Sequence, residues 1–503
     1  MTAPTRPSAQ TTHATSATLD ALPRALRLTF AMLMLMLSLA ALDQTIVSTA
    51  LPTITRELHG AARMSWVFSA YLIAATVAVP LYGKLADLHG TRPVLLVAVG
   101  VFLTGSALCG LSRDMTELVL ARGLQGAGGG GLLTLAMMAV VRSFPPASRP
   151  RLQGLLGAVY GLSTMVGPLV GGFIVEHLSW RWAFIMNLPL GMLALVLLAR
   201  HFPRQGPTQR GTMDYAGAVL LAAALVCLML GTRPQESGAS GASGASGGPV
   251  LLYIVLGLGL LAAFIAVQAR AASPLLPLSL FRQPGFSAAS LLSGGTGFML
   301  FGAVVFMPLY WQVARGLSPA DSGWHSMPLM AGLTVGSITC GRMLARTGRV
   351  RPVALAGCLL SAAAFVLLGW MLREPGASLA LASACLTPLG LGIGLLLPLV
   401  TVVAQTSAPL PLIGIATASP VMFRSVAGAV GVSALAALFQ HLLTADMTVG
   451  AVPRAAAFGH ALFGVFGTAA VVALLSAVAA RGLPQRLVHP AGIAGAAPSA
   501  VAA

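Results

Sequence analysis

Apolar runs long enough to cross a bilayer recur along this chain, with only short polar breaks between them. The hydrocarbon core takes about 20 helical residues to span. Backbone groups inside it must be satisfied within their own segment, so each run is read as a helix. The predicted spans are 28–50, 64–83, 93–111, 117–141, 151–174, 182–199, 214–231, 250–269, 285–311, 320–343, 352–371, 379–405, 413–443 and 458–480, fourteen in all. Charged residues make up only 8% of the chain, against about 25% in a soluble protein. A surface so poor in charge needs lipid as its solvent.

The formal net charge of +17 invites a nucleic-acid partner, but the placement of the charges excludes it. They lie in short gaps between apolar runs, not in a stripe. An even number of spans puts both termini on one side, and the basic residues say which. With the N-terminus in the cytoplasm, Lys84, Arg92, Arg142, Arg149, Arg151, Arg200, Arg204, Arg270, Arg282, Arg342, Arg346, Arg349 and Arg351 all fall inside. Most acids, among them Glu57, Asp114, Glu117, Glu176, Asp321 and Glu374, fall outside. This is the positive-inside pattern. It predicts a multi-pass protein of the plasma (inner) membrane with both termini cytoplasmic.

The Thr-, Ser-, Ala- and Pro-rich stretch 1–27 and the Ala-, Pro- and Gly-rich stretch 481–503 are expected to be disordered cytoplasmic tails. The first apolar run exceeds the 7–15 residues, roughly, of a signal-peptide core, so it is read as a retained span. Ser237–Gly248, a Ser-Gly-Ala repeat, is read as a flexible outer linker. The five cysteines, Cys109, Cys227, Cys340, Cys358 and Cys385, form no C-x-x-C pair and lie in apolar runs. They are expected to be small core residues, with no metal site.

Deep within the spans, away from their ends, only three charges remain: Asp43, Arg122 and Arg424. Asp43 lies in Leu42-Asp43-Gln44-Thr45-Ile46-Val47-Ser48-Thr49-Ala50-Leu51-Pro52, well inside the first run. A carboxylate there costs about 3 kcal/mol on insertion scales, and desolvation disfavours its charged form. An acid able to gain and lose a proton inside a membrane is a candidate coupling site. The alternative is a structural aspartate bonded to a neighbouring helix. Arg122, in Leu120-Ala121-Arg122-Gly123-Leu124-Gln125-Gly126-Ala127-Gly128-Gly129-Gly130-Gly131, must face protein or water. Near Asp43 it would favour the carboxylate and oppose desolvation; a snorkelling or structural arginine is the other reading. The glycines beside it permit close helix approach.

Two further stretches stand out. Gly83-Lys84-Leu85-Ala86-Asp87-Leu88-His89-Gly90-Thr91-Arg92-Pro93 makes a tight inner loop with glycines at its corners. Asp87 suits the positive end of another helix, and Lys84 and Arg92 suit pairing across an interface. The set is either a conformational latch or a plain basic loop. In the fifth span, Gly157, Gly161, Gly167, Pro168, Gly171 and Gly172 predict a bent, smooth helix face fit for close packing and sliding.

Together these stretches resemble the major facilitator superfamily, and within it the fourteen-span drug:proton antiporters. Leu42–Pro52 resembles their first-helix motif, Gly83–Arg92 the loop between helices two and three, Arg122–Gly130 the fourth-helix motif linked to proton transfer, and Gly157–Gly172 the antiporter motif. There are departures: Leu88, His89 and Pro93 stand where basic residues are usual. The second-half echo Gly341–Arg349 has Ala345 in place of its acid.

The resemblance implies an all-α fold of two pseudo-symmetric six-helix bundles, 28–199 and 285–480. Between them, 200–284 would be a linker carrying two extra transmembrane helices. Asp87 would meet the helix starting near Gly414, and Arg424 would bond across helices in a structural role. Substrate would bind near the midplane and be exposed alternately to the two sides. Candidate cavity residues are Tyr71, Gln125, Tyr160, Tyr310, Gln312, His325 and Gln405.

The function expected is proton-coupled multidrug efflux of hydrophobic or amphipathic compounds, conferring antibiotic resistance. The proton is the coupling ion and no other cofactor is expected, because no G-x-x-x-x-G-K-[ST] motif is present. The partners are a drug-like small molecule and membrane lipid; relatives of this type sometimes also use a periplasmic adaptor. With Asp43 the only acid deep in a span, neutral, weakly basic or anionic substrates are expected over dications. The alternatives are a specific exporter of one metabolite or antibiotic, and a non-transporting sensor or scaffold. An enzyme is not expected.

Overall fold

The computed structural model describes residues 23–59, 63–204, 206–207, 212–231, 247–373, 378–448 and 454–487, and these are helical apart from short turns and one isolated bridge. In order the helices are α1 (Arg24–Glu57), α2 (Met64–His89), α3 (Thr91–Leu111), α4 (Met115–Ser143), α5 (Arg149–His177), α6 (Trp182–Ile185), α7 (Asn187–His201), α8 (Tyr215–Gly231), α9 (Gly247–Arg270), α10 (Pro284–Leu309), α11 (Pro319–Thr347), α12 (Arg351–Leu372), α13 (Leu379–Thr406), α14 (Ile413–Thr448) and α15 (Arg454–Ala479).

Helix ends follow local chemistry. The Asp114 carboxylate caps α4 by accepting from the N–H groups of Thr116 at 2.7 Å and Glu117 at 2.9 Å. Gly90, at φ 87°, turns the chain between α2 and α3, and Gly348, at φ 62°, ends α11; both lie in the left-handed region that glycine tolerates.

Twelve helical stretches among the described residues are long and apolar enough to cross a membrane, two fewer than the fourteen expected. The two that fall short have different reasons. α8 is only 17 residues long. α11 has the length, with 29 residues, but carries His325, Ser326, Thr334, Ser337 and Thr339. It affords that polarity because it packs between α5 and α13, inside protein. The span expected at 182–199 is broken at Met186 into α6 and α7. Pro189 has no N–H to offer the Ile185 carbonyl, which removes one helical hydrogen bond at this point.

The first seven helices pack chiefly among themselves, as do α10 to α15, and α8 pairs with α9. The two sets meet along two seams, α5 against α11 and α2 against α14. Both seams are tightest toward the end of the molecule that carries Lys84 and Arg142. A Cβ placed on Gly83 would stand 2.8 Å from the Gly414 carbonyl, and one on Gly154 2.9 Å from the Gly341 Cα.

The tail readings mostly lie outside the described residues, as does the Ser237–Gly248 linker up to residue 246. Where described, they differ from expectation. Arg24–Arg27 already belong to α1. Residues 481–487 are held against the α11–α12 turn: the Val350 N–H donates to the Gln485 carbonyl at 3.0 Å and the Leu487 N–H to the Gly348 carbonyl at 2.8 Å.

Candidate functional site

Asp43 is fully buried and its two oxygens take three donors from two other helices. Arg122 Nη1 of α4 donates to Oδ2 at 2.6 Å. Gln125 Nε2, one turn further along α4, donates to Oδ1 at 2.7 Å. Asn187 Nδ2, at the start of α7, donates to Oδ1 at 3.1 Å. Behind them Ser106 of α3 accepts from Gln125 at 3.1 Å and from Asn187 at 3.0 Å, and donates to the Phe184 carbonyl at 2.9 Å. The break between α6 and α7 is what brings the Asn187 amide to the carboxylate. Arg122, Gln125 and Ser106 are as fully buried as Asp43. Charge-assisted bonds of this kind offset part of what burying a charged group costs.

The glycine run of α4 sets the geometry. Side chains at Gly126 and Gly130 would collide with the α2 backbone at Tyr71 and Ala75. Their absence lets α2 lie on α4 and puts the Arg122 guanidinium 4.2 Å from the centre of the Tyr71 ring. Arg122 Nε reaches the Val67 carbonyl at 3.3 Å, while Nη2 has no hydrogen-bond partner among the described residues.

Next to this cluster, between the two sets of helices, lies a cavity of about 140 Å³. Its lining is mostly apolar, with Gln44, Thr76, Tyr160, Arg424 and Ser425 as polar exceptions. Gln44 connects the two sites: it lines the cavity and donates to the Tyr71 hydroxyl at 3.4 Å. Tyr71 itself is buried, standing between the Asp43–Arg122 pair and the cavity. Pockets for drug-sized ligands measure roughly 300–1,000 Å³, so this cavity is smaller than such a pocket.

At the Lys84 end Asp87 joins the two sets. Its carboxylate accepts from the Gly414 N–H at 2.8 Å and the Ile415 N–H at 3.2 Å, at the start of α14, and pairs with Arg142 at 2.7 Å. Arg142 also donates to Thr91 and to the Ala86 carbonyl. Lys84 reaches Ser273 and the Pro274 carbonyl in the α9–α10 connection, and Arg92 the Ala199 carbonyl of α7. A second polar tie runs nearby from Gln153 through Gln405 to Thr417, linking α5, α13 and α14.

In α5, Gly157 and Gly161 face Ser337 and Thr334 of α11, whereas Gly167 and Gly171 face Thr45 and Thr49 of α1. Gly172 has no neighbour within 4 Å of a Cβ placed there. α5 runs through residue 168 without interruption.

Several expected residues stand elsewhere. Of the seven cavity candidates only Tyr160 lines the central cavity. Tyr71 and Gln125 belong to the Asp43 cluster. Gln405 serves the second tie. Tyr310 packs in the core, Gln312 donates to Ser322 at 3.3 Å, and His325 bonds Ser383 at 2.7 Å and lies 5.3 Å from the Trp311 ring. All three sit beyond the end of α10 or at the start of α11, away from the cavity. Arg424 makes no hydrogen bond or ion pair with another described residue and lines the cavity instead of bonding across helices.

Sequence reasoning did not single out Asn187, Ser106, Gln44 or Gln153. The one available signal was an amide two residues before a proline inside an apolar span. At the other end of α1, Glu57 accepts from Trp180 Nε1 at 2.8 Å and pairs with Arg181 at 2.7 Å. The Arg181 hydrogen bond holds the Glu57 carboxyl below the usual carboxylate range, with Trp180 adding to the effect against partial desolvation.

Residues 33–432 match the family described as the Major Facilitator Superfamily. The chain is 36% identical over 401 residues to the multidrug transporter protein MdtP of Bacillus subtilis, covering 79% of this chain and 72% of that protein. It is 37% identical over 418 residues to the MFS-type transporter Rv1877 of Mycobacterium tuberculosis, where the match covers 82% of this chain and 60% of that protein. Among solved structures, the human organic anion transporter MFSD10 superposes with a TM-score of 0.66 over 91% of this chain and 100% of its own, at 17% identity, a likeness of fold alone.

Proposed function

The chain belongs to the major facilitator superfamily, and from that premise we propose that it exports hydrophobic or amphipathic compounds across the cytoplasmic membrane in exchange for protons. The observation that carries the reading is the sealed cluster of Asp43, Arg122, Gln125 and Asn187 beside a mostly apolar cavity. The similarity to a multidrug transporter supports export. In this reading α8 and α11 also cross the membrane, giving fourteen spans, and both termini lie in the cytoplasm, where the positive-inside bias places them.

The mechanism follows from what each group holds. With Asp87 seated on the α14 start, the seams are closed on the cytoplasmic side. Asp43 is ionised and its charge is spent on Arg122. Proton uptake by Asp43 removes an acceptor from Arg122 and loosens α1 from α4 and α7. Gln44 and Tyr71 carry that change to the cavity wall, because they bridge the two sites. The loosened cluster biases the two helix sets toward the cytoplasm-open arrangement. Substrate binding there and proton loss to the cytoplasm re-form the pair and reset the closed state.

The test uses purified protein in vesicles with a lipophilic fluorescent substrate. Imposing a pH gradient is expected to drive dye movement, an uncoupler to stop it, and dye addition to release protons. Dye movement unaffected by the gradient would overturn coupling; transport of one compound class alone would mark a specific exporter.

A further inference from the structure

We propose that Arg424 anchors a single negative charge on the transported compound, so that the preferred substrates are amphipathic monoanions such as carboxylates, sulfonates or acidic phenols. This rests on the export reading above and names its substrate class. Arg424 projects from α14 into the wall of the central cavity, within a membrane span. Among the described residues it has no hydrogen bond, no ion pair and no stacked ring. Its backbone is pinned, because α10 lies so close at Gly297 that a side chain there would strike the Arg424 carbonyl.

The charge count explains why the cation needs a visitor. Asp43 is the only acid deep in a span, and its oxygens are taken by Arg122, Gln125 and Asn187. Among the described residues no carboxylate lines the cavity. Arg122 is therefore neutralised and Arg424 is not. A lone cation in a low-dielectric cavity is costly. A guanidinium presents a rigid fork that matches a carboxylate or sulfonate with two parallel hydrogen bonds. Such a cation attracts an anionic guest and repels a cationic one. The remaining wall, with Leu72, Val79, Leu133, Phe301 and Leu397, suits the apolar body of the guest, and Tyr160 and Ser425 stand nearby as neutral hydrogen-bonding groups.

A matched probe set tests this: 1-pyrenebutyrate, its methyl ester and 1-pyrenebutylamine, which share one ring system and differ in charge. Equilibrium binding to the full chain in detergent at neutral pH is followed by pyrene fluorescence. The wild type is expected to bind the acid at least about tenfold more tightly than the ester, and the ester more tightly than the amine. In Arg424→Gln the acid-to-ester ratio is expected to fall to about one, while Arg424→Lys keeps part of it. The ratio is internal to each variant, so a general loss of stability cancels.

No acid preference in the wild type, or one that persists in Arg424→Gln, overturns the proposal. An Arg424-dependent preference without gradient-driven transport upholds the binding assignment and sinks only the export reading.

Discussion

Asp43→Asn keeps the size of the side chain and removes its charge. In the wild type Arg122, Gln125 and Asn187 donate to the two carboxylate oxygens at 2.6, 2.7 and 3.1 Å. An asparagine replaces one oxygen with a donor. It then faces either Arg122 on one side or the amides of Gln125 and Asn187 on the other. Arg122 keeps the Gln125 carbonyl oxygen at 2.7 Å but loses its counter-charge. Removing one partner of a buried ion pair costs about 3–5 kcal/mol. Since about 1.4 kcal/mol is a factor of ten in an equilibrium, the closed arrangement should lose population by about a hundredfold or more relative to one in which Arg122 finds water.

Proton uptake imposes the same loss in each cycle, so the variant imitates the protonated transporter permanently. Reconstituted Asp43→Asn is expected to lose pH-gradient-driven efflux while retaining exchange of labelled for unlabelled substrate. The doubly altered Asp43→Asn, Arg122→Gln protein is expected to melt higher than Asp43→Asn alone, because the stranded cation is gone. Efflux at the wild-type rate in Asp43→Asn, or a double variant no more stable than the single one, would refute the reasoning.

The other expectations concern the parts around that centre. Gly167→Ala would drive a methyl group into Thr45 and should lower thermal stability by about 1–3 kcal/mol; Gly172→Ala meets open space and should be neutral or slightly stabilising in the same melting assay. Asp87→Asn removes the charged acceptor of the Gly414 and Ile415 N–H groups, so amide exchange at the start of α14 is expected to quicken at least about tenfold by mass spectrometry. Unchanged protection would mean that Asp87 is not what holds that helix end.

The Glu57 carboxyl lies below its ordinary range. Its tie to Arg181 therefore stabilises the fold above the unfolded carboxyl value, and the contribution is lost as pH falls through the lower folded value. With Glu57 48% and Arg181 33% exposed, the effect should stay below about 1 kcal/mol. It should appear as a shallower acid-side fall in melting temperature for Glu57→Gln.

The sequence reading of fourteen spans and the twelve stretches that qualify in the structure differ for a reason that shows where hydropathy stops being informative. A helix such as α11, packed against protein on several faces, is free to carry serine, threonine and histidine without meeting lipid. The seven cavity candidates are polar or aromatic residues within or near spans, and only Tyr160 of them lines the cavity. A side chain's type does not tell which face of a helix it occupies when almost every face is apolar. Asp87 was legible together with its target near Gly414, since a carboxylate and a helix start are complementary wherever they meet.

The sequence by itself determined that lipid must be the solvent, roughly where the helices run, which way the charges bias them, and that Asp43, Arg122 and Arg424 are the three costly charges in the spans. Those conclusions need only local properties: length, hydropathy and the price of burying a charge. Only the tertiary structure decided how the three charges are divided. Asp43 took Arg122 for a partner, with Asn187 brought in by a helix break, and Arg424 was left facing a cavity. Pairing depends on which helix faces meet, and here the partners of Asp43 lie 79 and 144 residues away along the chain.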